Sequence, residues 1–223
     1  MSQRIYLLVE GQSEESFVKQ VLAPHFFNRT TFCFPIVHAT KRVKCGGKFR
    51  GGVTNFAKFE NDLCSVLRGA GAALVTTIVD YYALPADFPG MHNRPQGNNS
   101  LKKVRHVEAA LQQHFSDDRF LPFLALHEFE AWLFSDIDVL PRRMTTPDSA
   151  AAFAEIRARF ESPEDINDHP ETAPSKRILS LFPAYKKKAF GPGILQEIGL
   201  PRIRKECPHF DEWLSQLEKF AVS

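Results

Sequence analysis

Three apolar runs of the chain each end on an acid: Ile5 to Glu10 (IYLLVE), Leu74 to Asp80 (LVTTIVD) and Leu121 to Glu128 (LPFLALHE), the last followed closely by Glu130. Carboxylates gathered at one place repel unless a cation neutralises them, and hard oxygen donors suit Mg²⁺ or Mn²⁺ better than Zn²⁺. The chemistry expected is metal-assisted, with Glu10, Glu14, Asp80, Glu128 and Glu130 as candidate ligands. Glu14 falls on the first turn of the helix after Glu10, where the macrodipole favours acids whatever the function. Glu10 and Asp80 differ because each directly follows buried strand residues.

Other residues are candidates for supporting roles. Asp80 can also cap the turn ahead of Pro85. If the third run stays extended past Leu126, Glu128 and Glu130 share one face and His127 takes the other. If a helix begins there, their directions diverge. Either way one carboxylate reaches the rim, and His127 is a general-base candidate as well as a hydrogen-bonding one. Lys176 lies in the first turn of a helix following Pro174, where a cation opposes the helix dipole. An anionic group such as phosphate would offset that cost, so Lys176 is the candidate for stabilising developing negative charge. Tyr81 and Tyr82 adjoin Asp80; a tyrosine there can act as a nucleophile or simply pack.

Runs this apolar, interleaved with helical patterns, are expected to be buried strands of a mostly parallel sheet, whose ligands gather beyond the strands' carboxyl ends. After Glu10, Gly11 permits a tight turn and Ser13 can cap a helix with a buried stripe of Phe17, Val18, Val21 and Leu22. Phe32 to Val37 reads as a short strand that Pro35 demotes to a sheet edge or to an irregular piece. Lys41 to Gly52 is basic, glycine-rich and aperiodic, hence a loop. Helical spacing at Phe56, Phe59, Leu63, Val66 and Leu67 completes a βαβαβ order up to Asp80. Tyr81 to Ser100, rich in Pro, Gly and Asn, is longer than compact domains keep without a task for it. A helix from Leu101 to about Phe115 leads back to the Leu121 strand, and helical composition returns from Glu128 to Phe134. Ala150 to Phe160, Ser175 to Phe182 and Phe210 to Phe220 read as amphipathic helices joined by proline-containing loops. The expected architecture is an α/β domain over 1–140, with a helical C-terminal extension over 141–223 packed on it.

With 223 residues the chain can bury a sizeable core. Its 28 basic and 26 acidic residues nearly cancel, so whole-chain charge makes no case for nucleic acid. Local clusters at Lys41 to Arg50, Lys102 to Arg105, Lys186 to Lys188 and Arg202 to Lys205 could together bracket a polyanion backbone. Cys33, Cys45, Cys64 and Cys207 show no zinc spacing, and a reduced intracellular compartment is expected. The run before Glu10 is too short for a signal-peptide core, and no stretch approaches the ~20 apolar residues of a membrane span. A cytoplasmic protein without a membrane partner is the expectation.

The Glu-Gly-x-Ser-Glu turn after the first strand and the acid closing the third resemble the Toprim domain of topoisomerases, bacterial primases and the overcoming-lysogenization-defect (OLD) nucleases. The blocks at 9–17, 80–90, 127–136, 163–168 and 174–178 together resemble an uncharacterised bacterial family that carries a domain-of-unknown-function label. The Toprim resemblance implies a Toprim-like sheet in which Glu10 matches the family's glutamate, Glu14 the second acid of the nuclease-type turn, and Asp80 the first acid of the Asp-x-Asp motif. Tyr82 stands where that motif has its second acid. A second metal would then need Asp87, Glu128 or Glu130, and the alternative is a site with one metal. The resemblance further implies an ATPase partner of the ABC or structural-maintenance (SMC) type in anti-phage defence.

The function expected is Mg²⁺-dependent phosphodiester hydrolysis of nucleic acid, DNA or RNA. Glu10, Asp80 and Glu128 or Glu130 would hold the ion, with His127 and Lys176 assisting. The alternative is a non-catalytic or regulatory subunit that docks on the ATPase. Nucleotidyl transfer, as in primases, would require a nucleotide pocket that no motif marks.

Overall fold

The computed structural model describes residues 2–38, 53–144, 149–166 and 170–222. The glycine-rich stretch with its basic cluster at Lys41 to Arg50 lies outside the described residues, as do Cys45 and Asp168. Every strand pairing among the described residues is parallel: β1 (Gln3–Val9) lies between β2 (Thr31–Val37) and β3 (Leu74–Asp80), and β3 also pairs with two short strands, β4 (Phe120–Leu121) and β5 (Leu124–Ala125). Pro35 sits in edge strand β2, where its missing N–H breaks no inner ladder. The run expected as one continuous strand from Leu121 to Glu128 is instead these two pieces, because Pro122 interrupts the ladder. Phe123 N then turns to the Thr77 hydroxyl at 2.9 Å, while Thr77 donates back to the Phe123 carbonyl at 2.7 Å.

Period-2 alternation divides the core between the two faces of the sheet. Ile5, Leu7 and Val9 of β1 join one apolar cluster, and Leu8 joins the other. The first cluster is closed by α1 (Gln12–Phe17), a π-turn (Val18–Leu22) and α2 (Ala23–Phe27), which run on from one another, and by the C-terminal helices. Gly11, not Ser13, is the N-cap of α1, and Ser13 is buried in its first turn. The second cluster is closed by α3 (Phe56–Gly69) and α4 (Ser100–Phe115). The result is an α/β fold in which helices flank a parallel sheet on both sides.

A 3₁₀ segment, Phe129–Ser135, follows β5 and is buried throughout. Its Phe129 and Trp132 pack on Phe17 of α1, and Trp132 packs also on Phe210 of α10 (Pro208–Val222). Trp213 of α10 stacks on Phe123 at 4.3 Å between centroids and donates its indole N–H to Thr76 of β3 at 2.9 Å. Residues after 140 thus share one core with β1 and β3. Between them lie α5 (Val139–Arg143), α6 (Ala150–Ala158), α7 (Pro174–Leu181), α8 (Lys187–Ile198) and α9 (Leu200–Glu206). The expected helices at 150–160, 175–182 and 210–220 correspond to α6, α7 and α10; α8 and α9 carry no amphipathic pattern strong enough to announce them. Gly191 lets α8 lie close to the 3₁₀ segment, since a Cβ there would stand 3.2 Å from a ring carbon of Phe129. No helix among the described residues is long and apolar enough to cross a membrane.

Candidate functional site

The chain leaves β1 for β2 on one side and returns to β3 on the other, so the crevice between the carboxyl ends of β1 and β3 is the topological switch point of the sheet, the usual ligand position in such folds. Glu10 and Asp80 flank it. The Glu10 backbone N–H donates to the Ile78 carbonyl at 3.1 Å, and a Glu10 carboxylate oxygen accepts from Asp80 N at 3.0 Å. Asp80 is fixed in turn: Oδ1 accepts from Phe129 N at 2.8 Å, and Oδ2 accepts from Lys187 Nζ at 2.9 Å. Glu14, on the first turn of α1, and Glu130, in the 3₁₀ segment, complete the group at 2.9 and 3.3 Å from the same ammonium. Three carboxylates therefore contact Lys187, and Glu10 joins them through Asp80. The ammonium also lies 5.2 Å from the centre of the Phe129 ring.

The charges are unbalanced, with four acids against one ammonium. Burial first, and the neighbouring Asp80 charge next, push Glu10 up to about 8. Burial likewise lifts Glu130 to about 7, against the pull of Lys187. Burial works against a charge on Lys187, yet Asp80, Glu130, Glu14 and Glu10 together hold it well above the ordinary lysine range. Burial, followed by the Glu130 charge, also pushes the Tyr185 phenol upward.

The sequence candidates separate into two groups. Glu10, Glu14, Asp80 and Glu130 meet at one point. Glu128 does not share it: its carboxylate accepts from Ser175 N at 3.0 Å and from the Ser175 hydroxyl at 3.1 Å, tying down the start of α7. The 3₁₀ turn that begins at Phe129 sends Glu128 and Glu130 in different directions, which settles the question left open by the sequence. Lys176, one residue further along α7, makes no ion pair with the cluster among the described residues. The cation held there is Lys187, read in the sequence only as part of a basic run. His127 is buried, with φ at +72°, and its carbonyl accepts from Tyr82 N at 3.0 Å. Asp87 accepts from Phe56 N at 3.0 Å, at the first residue of α3.

Other basic residues are engaged elsewhere: Arg105 with Glu212, Arg202 with Glu206, and Arg204 with Asp211 and Glu218.

The donor chemistry of the cluster fits a hard divalent cation, since every available ligand is a carboxylate oxygen. One buried polar atom nearby, the Tyr185 hydroxyl, lacks a hydrogen-bond partner among the described residues, and a buried hydroxyl of this kind is ordinarily satisfied by a water or an ion. The arrangement as it stands is closed on the ammonium, and among the described residues no three His, Cys, Asp or Glu side chains are already set around one ion.

No curated protein and no solved structure matches the chain. A family model matches residues 9–218, from the last residue of β1 to near the end of α10, and so takes in every member of the acid cluster. The chain belongs to the family described as Domain of unknown function (DUF4276).

Proposed function

We propose that the chain is a divalent-cation-dependent phosphodiesterase acting on nucleic acid, with the acid cluster between β1 and β3 as its reaction centre. One observation carries this reading: Glu10 and Glu14 of the turn after β1, Asp80 at the end of β3 and Glu130 in the 3₁₀ segment come from three separate segments to one place at the sheet's switch point, with more negative charge than Lys187 offsets. Glu10, Asp80 and Glu130 would hold Mg²⁺ or Mn²⁺, with Glu14 beside them. When bound, the ion supplies Lewis-acid polarisation of a phosphoryl oxygen. Lys187 takes the role given by sequence to Lys176, stabilising negative charge that develops on the phosphate. Phe129 N fixes the Asp80 carboxylate, and Asp80 N fixes that of Glu10, so the ligands are held before any substrate arrives.

The Toprim resemblance agrees with this assignment at Glu10, Glu14 and Asp80, and Glu130 is the residue available where Tyr82 replaces the usual second acid. Glu10→Gln and Asp80→Asn should each abolish Mg²⁺-dependent cleavage of single- or double-stranded DNA or RNA while leaving the circular dichroism spectrum unchanged. Full activity in either purified variant refutes the assignment.

A second reading has its own observation. Lys187 already donates to the cluster, as a structural counter-ion would, and this favours a non-catalytic subunit docking on an ABC- or SMC-type ATPase. Calorimetric titration with Mg²⁺ and Mn²⁺ separates the two. Absence of binding at millimolar ion, together with absence of cleavage when such an ATPase is supplied, leaves only the docking role.

A further inference from the structure

Beside the acid cluster lies a cavity of about 440 Å³, within the size range of small-ligand pockets. Tyr81 and Tyr82, which follow Asp80, form part of its wall, and His127, which precedes Glu128, forms another part. The hydrogen bond from Tyr82 N to the His127 carbonyl joins these two walls. Arg94 and Lys103 also line the cavity, and no carboxylate among the described residues does. Two cations without a counter-charge in their own cavity favour an anionic guest.

The cations are differently held. Arg94 is pre-organised: Nε donates to the Met91 carbonyl at 2.9 Å, one terminal nitrogen donates to the Tyr81 hydroxyl at 2.8 Å, and the guanidinium lies 5.9 Å from the centre of the Tyr81 ring. Gly90, at φ +81°, presses the preceding loop onto α4 so closely that a Cβ would stand 2.9 Å from that of Ala110, and this fixes the segment that carries Arg94. Lys103 sits in the first turn of the sixteen-residue helix α4, where a cation opposes the dipole unless an anion lies ahead of it. Tyr82 is 41% exposed, an aromatic ring open to a planar partner.

We propose that this cavity is the substrate-strand subsite of the neighbouring acid cluster. A phosphate of single-stranded nucleic acid would lie between Arg94 and Lys103, with its adjacent base stacked on Tyr82. Duplex bases are already stacked and paired, so only an unpaired strand offers a base face to Tyr82. The term "substrate" rests on the phosphodiesterase reading; strand binding itself does not.

The test is fluorescence anisotropy of a labelled oligothymidylate with the full chain in EDTA. The wild type should bind with an affinity that falls as salt rises. Lys103→Glu should weaken binding by about ten-fold or more and flatten the log–log salt slope by about 0.7, one single-strand phosphate contact. Tyr82→Ala should weaken it by roughly ten-fold with the slope unchanged. Arg68→Glu, on the last turn of α3 and so at the opposite end of the sheet, should leave affinity within about two-fold, since one remote charge releases no counterion from this subsite.

The subsite is overturned by any of three results: no binding by the wild type, Lys103→Glu and Tyr82→Ala both without effect, or Arg68→Glu as damaging as Lys103→Glu. Thymidine monophosphate competing as well as the oligonucleotide would replace the strand with a free nucleotide, and equal affinity for duplex would remove the single-strand preference. Strand binding that depends on Lys103 and Tyr82, without cleavage by the wild type in Mg²⁺, upholds the subsite and defeats only the hydrolase reading.

Discussion

Lys187 Nζ donates to Asp80 Oδ2 at 2.9 Å although 107 residues separate the two in sequence. The contact joins the first residue of α8 to the last residue of β3, and so fastens the C-terminal helices to the edge of the sheet where the acids gather. Its consequence is that the lysine organises the cluster as well as neutralising part of it.

Lys187→Ala should therefore destabilise the protein in EDTA by about 3 kcal/mol, because it leaves buried carboxylates without their cation. The side chain retains 28% exposure, which keeps the loss below that of a fully buried pair. Millimolar Mg²⁺ should stabilise this variant more than the wild type by filling the same charge deficit. Urea unfolding with and without the ion measures both effects; equal Mg²⁺ stabilisation of the two proteins would contradict binding of the ion by the carboxylates that Lys187 neutralises.

Cation loading at pH 7 should expel protons. Burial, then Asp80, holds Glu10 at about 8, and burial holds Glu130 at about 7, so both carry protons near neutrality that a hard cation must displace. Calorimetric titration of Mg²⁺ in two buffers of different ionisation enthalpy reads the number released. Glu10→Gln should lower it, and an apparent enthalpy independent of buffer would contradict the cluster as the binding site.

Glu128 and Glu130 should behave as different kinds of residue. Glu128→Ala removes the acceptor for Ser175 N and its hydroxyl, and should cost about 1 kcal/mol of stability with Mg²⁺ affinity retained. Glu130→Gln should weaken Mg²⁺ binding by about ten-fold or more, as loss of a charged ligand from a hard-cation site does. The reverse pattern in paired denaturation and calorimetry would exchange their roles.

Glu164 should govern stability on the acid side of neutrality. Its two oxygens accept from His209 N at 2.9 Å and Phe210 N at 3.1 Å, the first turn of α10, and burial lifts its carboxyl from 4.5 to about 7 despite His209. Between those values the folded state binds more protons than the unfolded one, so this residue's contribution falls as pH rises from about 4.5 to 7, by on the order of 3 kcal/mol. His209 adds a slope of the same sign: burial lowers its pKa, but the hydrogen bond to Glu108 and the charges of Glu108, Glu164 and Glu212 together outweigh burial and hold it raised, so its stabilisation is complete below about 6.5 and is lost as pH climbs through the folded value. Glu164→Gln should flatten the stability profile between pH 5 and 8, as followed by urea midpoints. Glu164→Ala should be less stable than Glu164→Gln by about 1 kcal/mol or more, since it strands two buried N–H groups.

Local patterning made the central sheet legible. The run at 74–80 corresponds to β3 residue for residue, and Pro35 placed β2 at an edge, because an apolar run of strand length and a missing N–H act over a few residues only. The same rule failed at Leu121 to Glu128, where Pro122 split the run and Phe123 N found the Thr77 hydroxyl, a partner 46 residues away. Lys187 was hidden for a related reason. In a Lys-Lys-Lys run nothing local distinguishes an ammonium held by buried acids from its two neighbours, and Gly191, Pro192 and Gly193 mask the helix that carries it.

By itself the sequence determined which acids stand at strand ends, since hydrophobic runs fix where each strand stops and which residue comes next. Tertiary structure alone decided that Glu130 and not Glu128 enters the cluster, and that Lys187 and not Lys176 faces it. Those choices depend on the turn taken after β5 and on how closely α8 packs against Phe129, both set by contacts between residues far apart in the chain.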